Sequence, residues 1–182
     1  MNETNALPIE GTAEKSTAPD TLDLAERARL AVHGIMGSID PDLLTMYGLI
    51  FYATPRPHQS HWASAENTCD PKFGESLPLL RTMCGSEEGL DLQERYLAAM
   101  LNRVQDGLYW DLFNPKRPWR NSYSDASFYG EGKNEDFAVL ASGGRMIRAL
   151  MAWRAVTGSD RFDAKIRELV HGMARVAVRQ DD

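Results

Sequence analysis

Ser142 to Val178, SGGRMIRALMAWRAVTGSDRFDAKIRELVHGMARVAV, is the stretch that decides the fold. In its first half Met146, Leu150 and Trp153 step by four and three, with Ile147 and Met151 beside them. In its second half Phe162, Ile166, Leu169, Met173 and Val176 repeat the step. Apolar residues at this spacing form one stripe along an α-helix. Gly158 suits the left-handed residue that closes a helix, and Ser159 is a good cap for the next. A two-residue connection has no room for a crossover, so the two helices are expected to lie antiparallel, stripe against stripe.

Upstream, the same step recurs. Leu24, Ala28, Ala31 and Ile35 predict a first helix, capped by Asp20 or Thr21 and ended by Gly37. Pro41 suits the first turn of a second helix reaching Tyr52, apolar nearly all round. Phe73, Leu77, Leu80 and Met83 predict a third over Lys72–Met83, ended by Gly85. Asp91 and Glu94 have the capping-box spacing for a fourth through Leu92, Tyr96, Met100 and Val104. Between these lie two long stretches without periodicity, residues 53–71 and 106–135. Residues 1–19 are polar and aperiodic and read as a disordered tail; residues 20–182 read as one helical-hairpin domain. The fold class expected is all-α: about six helices in antiparallel hairpins. Because short and long connections alternate, the two long loops are expected to share one end.

Composition narrows the partners. The formal charge is -6 over 182 residues, and the most basic run, Lys116 to Arg120, is short and interrupted. Phosphate binding needs clustered Lys and Arg, so no nucleic-acid partner is expected, and no anionic membrane surface either. The N-terminus has no positive start followed by an apolar core, and no run approaches the ~20 apolar residues of a membrane span. A soluble, cytoplasmic protein is expected. Cys69 and Cys84 are too few for a disulfide framework or a cysteine zinc site, and two reduced thiols are expected.

Loops on a helical scaffold commonly carry binding residues, and these two are rich in aromatics. Trp62, Trp110, Trp119, Tyr123 and Tyr129 can stack on the apolar faces of sugar rings, and His58 can bond hydroxyls. The same aromatics equally serve to pin loops onto helix ends. The candidate acid–base groups are Glu66 and Asp70 in the first loop, Asp111 in the second, and His61. Glycoside hydrolysis needs two carboxylates about 5–10 Å apart across the bond, and one from each loop would supply them. A helix cap or a solvated carboxylate is the plainer role for each. His58 and His61 have a His-x-x-His spacing, but no third ligand accompanies them, so no metal and no cofactor are expected.

The phrase GRMIRALMAWRAVTGSDRF resembles the helix–TG–helix repeat of the carbohydrate-active (α/α)6 toroids, the six-hairpin glycosidase-like families. The resemblance covers the architecture from Asp20 to Val178. It implies a ring of helical hairpins with sugar bound among the loops at one end, and Asp, Glu, His or Tyr as acid–base groups. It further implies a glycoside hydrolase or polysaccharide lyase, with a sugar epimerase as a third option. A full toroid has twelve helices, so the expectation is an incomplete one, corresponding to an N-terminal half, a truncated product or a subunit that closes a ring as a homodimer. The alternative is a non-catalytic helical-hairpin module that docks a protein partner.

Overall fold

The computed structural model describes residues 23–52, 56–61, 68–112, 114–117 and 136–177, with the backbone alone for 49–51. Among them are five α-helices: α1 (Leu24–Gly37), α2 (Asp70–Cys84), α3 (Leu90–Asn102), α4 (Leu140–Thr157) and α5 (Asp163–Val176). Strands β1 (Ile39–Asp40) and β2 (Thr45–Met46) form one small antiparallel sheet, β3 (Leu49–Phe51) and β4 (His58–Ser60) a second. In the third, β5 (Val104–Gln105), β6 (Leu108–Asp111) and β7 (Phe137–Ala138) lie in that order.

The deciding stretch forms the expected helix pair, but Met151 and Val176, placed with its apolar residues, are exposed. Met146, Leu150 and Trp153 of α4 and Phe162 and Leu169 of the following segment are buried. A Cβ built on Gly143 would touch the Met173 sulfur, and the Trp153 and Phe162 rings lie 6.4 Å apart, so α4 and α5 are antiparallel. Gly158 takes φ +67° and closes α4. The Ser159 hydroxyl accepts from the Arg161 amide and caps a 3-10 turn, Asp160–Phe162, that leads into α5.

The expectation of an all-α, incomplete toroid of about six helices is overturned. Where a second helix was expected, residues 39–51 form the β1–β2 hairpin and strand β3, and the fold mixes helices with small sheets. Pro41 starts a turn, not a helix: Asp40 Oδ1 accepts from the amides of Asp42 and Leu43, which folds the chain back at once. The expected loop after residue 105 also begins as a strand. Asp106 and Gly107 both have positive φ (49° and 72°), the two-residue hairpin turn that Asp-Gly favours, and it joins β5 to β6. Two caps also moved. Asp23, not Asp20 or Thr21, caps α1, and α3 follows Gly89 with no side-chain cap, leaving Glu94 paired with Arg161.

This hairpin is fixed to α5 by its backbone. A Cβ on Gly172 would stand 2.1 Å from the Gly107 carbonyl oxygen, so only glycine permits the contact. Lys165 donates to the Val104 carbonyl and Arg175 to that of Asp106. Helices α2 and α4 are parallel: Gly74 lies against Ala149, Glu75 pairs with Arg148, and Trp153 donates to the Gly74 carbonyl. Both therefore start at the end where the small sheets lie. Cys69 and Cys84, neither of them in a disulfide, bracket α2. At ~1.5 Å per residue they are some ~20 Å apart, too far for a bridge.

Candidate functional site

Two carboxylate clusters stand at that end. The first centres on Asp70, in the first turn of α2 and fully buried. Its Oδ1 accepts from the Met46 amide and the Tyr96 hydroxyl, both at 2.9 Å. Its Oδ2 accepts from Thr45 at 2.9 Å and from Arg103 Nη1 at 2.6 Å. Tyr109 of β6 is the next neighbour of Arg103, at 3.4 Å. Burial works against the Arg103 charge, but Tyr109 and Asp70 more than offset it and hold the guanidinium above its ordinary range. Burial raises the Tyr96 and Tyr109 hydroxyls, so both stay protonated. Asp70 thus joins α2, β2 and α3, with its four acceptor positions filled. It is shaped as a structural anchor, not as a group that meets a substrate.

The second cluster joins the β1–β2 turn to the end of β4. His61 Nε2 lies 2.9 Å from Asp40 Oδ2, and both side chains keep about a tenth of their surface exposed (10% and 12%). The Tyr47 ring stacks on His61 at 4.3 Å between centroids, and its hydroxyl donates to the same Asp40 oxygen. Burial would raise the Asp40 carboxyl, but the Leu43 amide, His61 and the Asp42 amide outweigh it and hold it below its usual value. Burial and the Asp40 charge together push the Tyr47 hydroxyl up. An ionised Asp40 only accepts, so His61 carries its proton on Nε2, and Nδ1, on the far side of the ring, is its basic nitrogen.

The remaining candidates are spread out. Asp111 is fully buried at the end of β6, its backbone paired with Phe137. Trp110 is half-buried and donates from Nε1 to the Gln105 carbonyl, bracing its own hairpin. His58 is exposed on β4, its Nδ1 3.0 Å from the Arg56 carbonyl. Trp62, Glu66, Trp119, Tyr123 and Tyr129 lie outside the described residues. Of the four acid–base candidates, three are described, and only His61 has a carboxylate partner while part of its side chain stays exposed, although Nδ1 itself is buried.

Sequence reasoning missed Asp40, Tyr47 and Arg103. Asp40 precedes Pro41, and an Asp-Pro pair favours a turn over the helix expected there. Tyr47 fell inside the expected second helix. Nothing in the sequence marks Arg103 as the partner of Asp70. Among the described residues no three His, Cys, Asp or Glu side chains are grouped to hold a metal ion, and no helix is long and apolar enough to cross a membrane.

No family model, no curated protein and no solved structure matches this chain.

Proposed function

We propose that the protein binds a carbohydrate at the end where the small sheets meet the starts of α2 and α4, and that His61 is its proton-transferring group. The observation that carries this reading is the Asp40–His61 pair stacked on Tyr47. A carboxylate that fixes one imidazole nitrogen sets the tautomer and aims the other, the arrangement a general acid or base needs. Polar Gln59 and His58 flank the pair on β4, and both are exposed. The reaction class is hydrolysis, elimination or isomerisation at a sugar, with the imidazole accepting or returning the proton.

The test is a glycan panel with wild type, His61→Gln and Tyr47→Phe. A bound sugar that is turned over by wild type, with turnover reduced about 10²–10⁴-fold in His61→Gln, is the expected result. A folded wild type that binds no glycan overturns the reading.

The second reading, a module that docks a protein partner, is favoured by one feature. Ala31, Gly34 and Ile35 of α1 with Met46 of β2 and Phe73 and Leu80 of α2 line an open, mainly apolar groove of about 510 Å³. Sedimentation separates the two readings. Self-association that Phe73→Asp abolishes, in a protein blind to glycans, favours docking.

A further inference from the structure

Helix α4 opens without a cap. Val139 precedes it in extended backbone and offers no side-chain acceptor, and the first turn holds no acidic residue. The Ser142 and Gly143 amides bond back to the Val139 carbonyl. Those of Leu140 and Ala141 have no partner within the helix, as the first amides of any helix do not. Both residues line a cavity of about 540 Å³ together with Thr68, Phe137, Val139, Ser142 and Arg145.

Two side chains make this more than a bare helix start. Ser142 is 1% exposed and lines the cavity, and its hydroxyl makes no hydrogen bond among the described residues. Its oxygen is not among the fully buried side-chain atoms that lack a partner, so it keeps a trace of exposure, and its bonding capacity is open to whatever occupies the cavity. Arg145, half-buried, lines the same cavity and also an adjoining one with Lys72, Glu75 and Arg148. There Glu75 is engaged by Arg148, and no described residue pairs with Arg145. Asp136, the nearest acid in sequence, is not part of the cavity wall.

We propose that this cavity binds a small organic monocarboxylate. Its carboxyl group sits on the Leu140 and Ala141 amides, the Ser142 hydroxyl and the Arg145 guanidinium, and its apolar body lies along Phe137, Val139 and Leu140. The positive end of α4 and one unpaired guanidinium suit a single negative charge. A planar fork beside two amides suits a planar carboxylate. The volume far exceeds a carboxyl group, and the rest of the wall is mainly apolar, so the ligand has a hydrophobic body. His61 is not part of the cavity wall, and the proposal does not depend on the protein acting on sugars.

The test follows backbone amide resonances of the full chain while benzoate, benzyl alcohol or inorganic phosphate is added. Benzoate is expected to shift the Leu140, Ala141 and Ser142 amides saturably. Arg145→Met is expected to weaken that binding about tenfold or more, the loss of a charge-assisted bidentate contact. Ser142→Ala, which deletes only an unbonded hydroxyl, keeps the fold and weakens it less. No shift with benzoate overturns the proposal, as does equal binding of benzyl alcohol, because the anion is then irrelevant. Binding of phosphate in place of benzoate overturns the carboxylate assignment. If Arg145→Met does not fold, Ala141→Asp replaces it: the new carboxylate competes for the same amides, and benzoate shifts that persist undiminished count against the site.

Discussion

Helices α2 and α4 run parallel and start side by side, yet their first turns are completed in opposite ways. The first turn of α2 contains Asp70, which sits against the positive helix end and takes hydrogen bonds from β2, α3 and Arg103. That of α4 contains no acid and no cap, and its buried serine and nearby arginine face a cavity. One start is closed by the protein's own carboxylate. The other is arranged as though it awaits a carboxylate from outside. A helix end has the same electrostatic demand in both cases, so what differs is who meets it, and this distinguishes a folding element from a binding element.

The largest expected effect is on the closed side. Asp70→Ala removes the carboxylate that pairs with the buried Arg103, and about 3–5 kcal/mol of stability is expected to be lost. Urea unfolding measures it. Replacing both partners, Asp70→Leu with Arg103→Met, is expected to recover most of that loss, because the cost lies in breaking the buried pair. If the double variant is no better than the single one, Asp70 is needed for its bonds to Thr45, Met46 and Tyr96 instead. Tyr96→Phe tests that term alone: its hydroxyl is shared between the Asp70 carbonyl and carboxylate, and its loss is expected to cost about 1–2 kcal/mol. By contrast Ser142→Ala at the open start is expected to be nearly neutral.

These two starts were unequally legible in the sequence. The stripe of α4 and its glycine turn gave the helix and its antiparallel partner directly, since burial of Met146, Leu150, Trp153, Phe162 and Leu169 follows from spacing alone. Asp70 was visible as a carboxylate but not as an anchor, because its partners lie 24 to 33 residues away and only the fold brings them together. The β1–β2 hairpin was hidden by composition: PDLLTMYGLIFY is apolar enough to read as a helix, and the turn is decided by the Asp40 side chain. Asp106-Gly107 was an explicit hairpin signal between two short strands, but strands of two and four residues carry too little alternation to stand out. Ser142 drew no notice because a serine in a helix is ordinary; its missing partner is a fact of packing.

A carboxylate near the surface offers a gentler check on the closed side. Asp40 has its folded pKa held below the ordinary value of 3.8. Its stabilising contribution is therefore complete above the unfolded value and is lost as the pH falls through the folded one. Asp40→Asn keeps the turn-forming oxygen but removes the charge. The stability gap between wild type and this variant is expected to be widest above about pH 5 and to close as the pH drops below about 4. Stability measured across that range checks it. A gap that stays constant would mean that Asp40 acts through its turn alone, and the His61 pair would lose its electrostatic basis.

The smallest expected effect converts one start into the other. Ala141 is exposed in the first turn of α4, so Ala141→Asp adds an acid where α2 already has one, at no cost in core packing. A carboxylate in the first turn is expected to raise stability by about 0.3–1 kcal/mol, less at high salt. The gain should be read from urea midpoints at low and high ionic strength. It also has a functional sign, since a helix end satisfied from within has less to offer a ligand. Greater stability together with lost benzoate binding would mean that α4 is kept open at the expense of stability. A variant no more stable than wild type would mean that the start of α4 is already satisfied, and the contrast with α2 would then be one of geometry and not of charge.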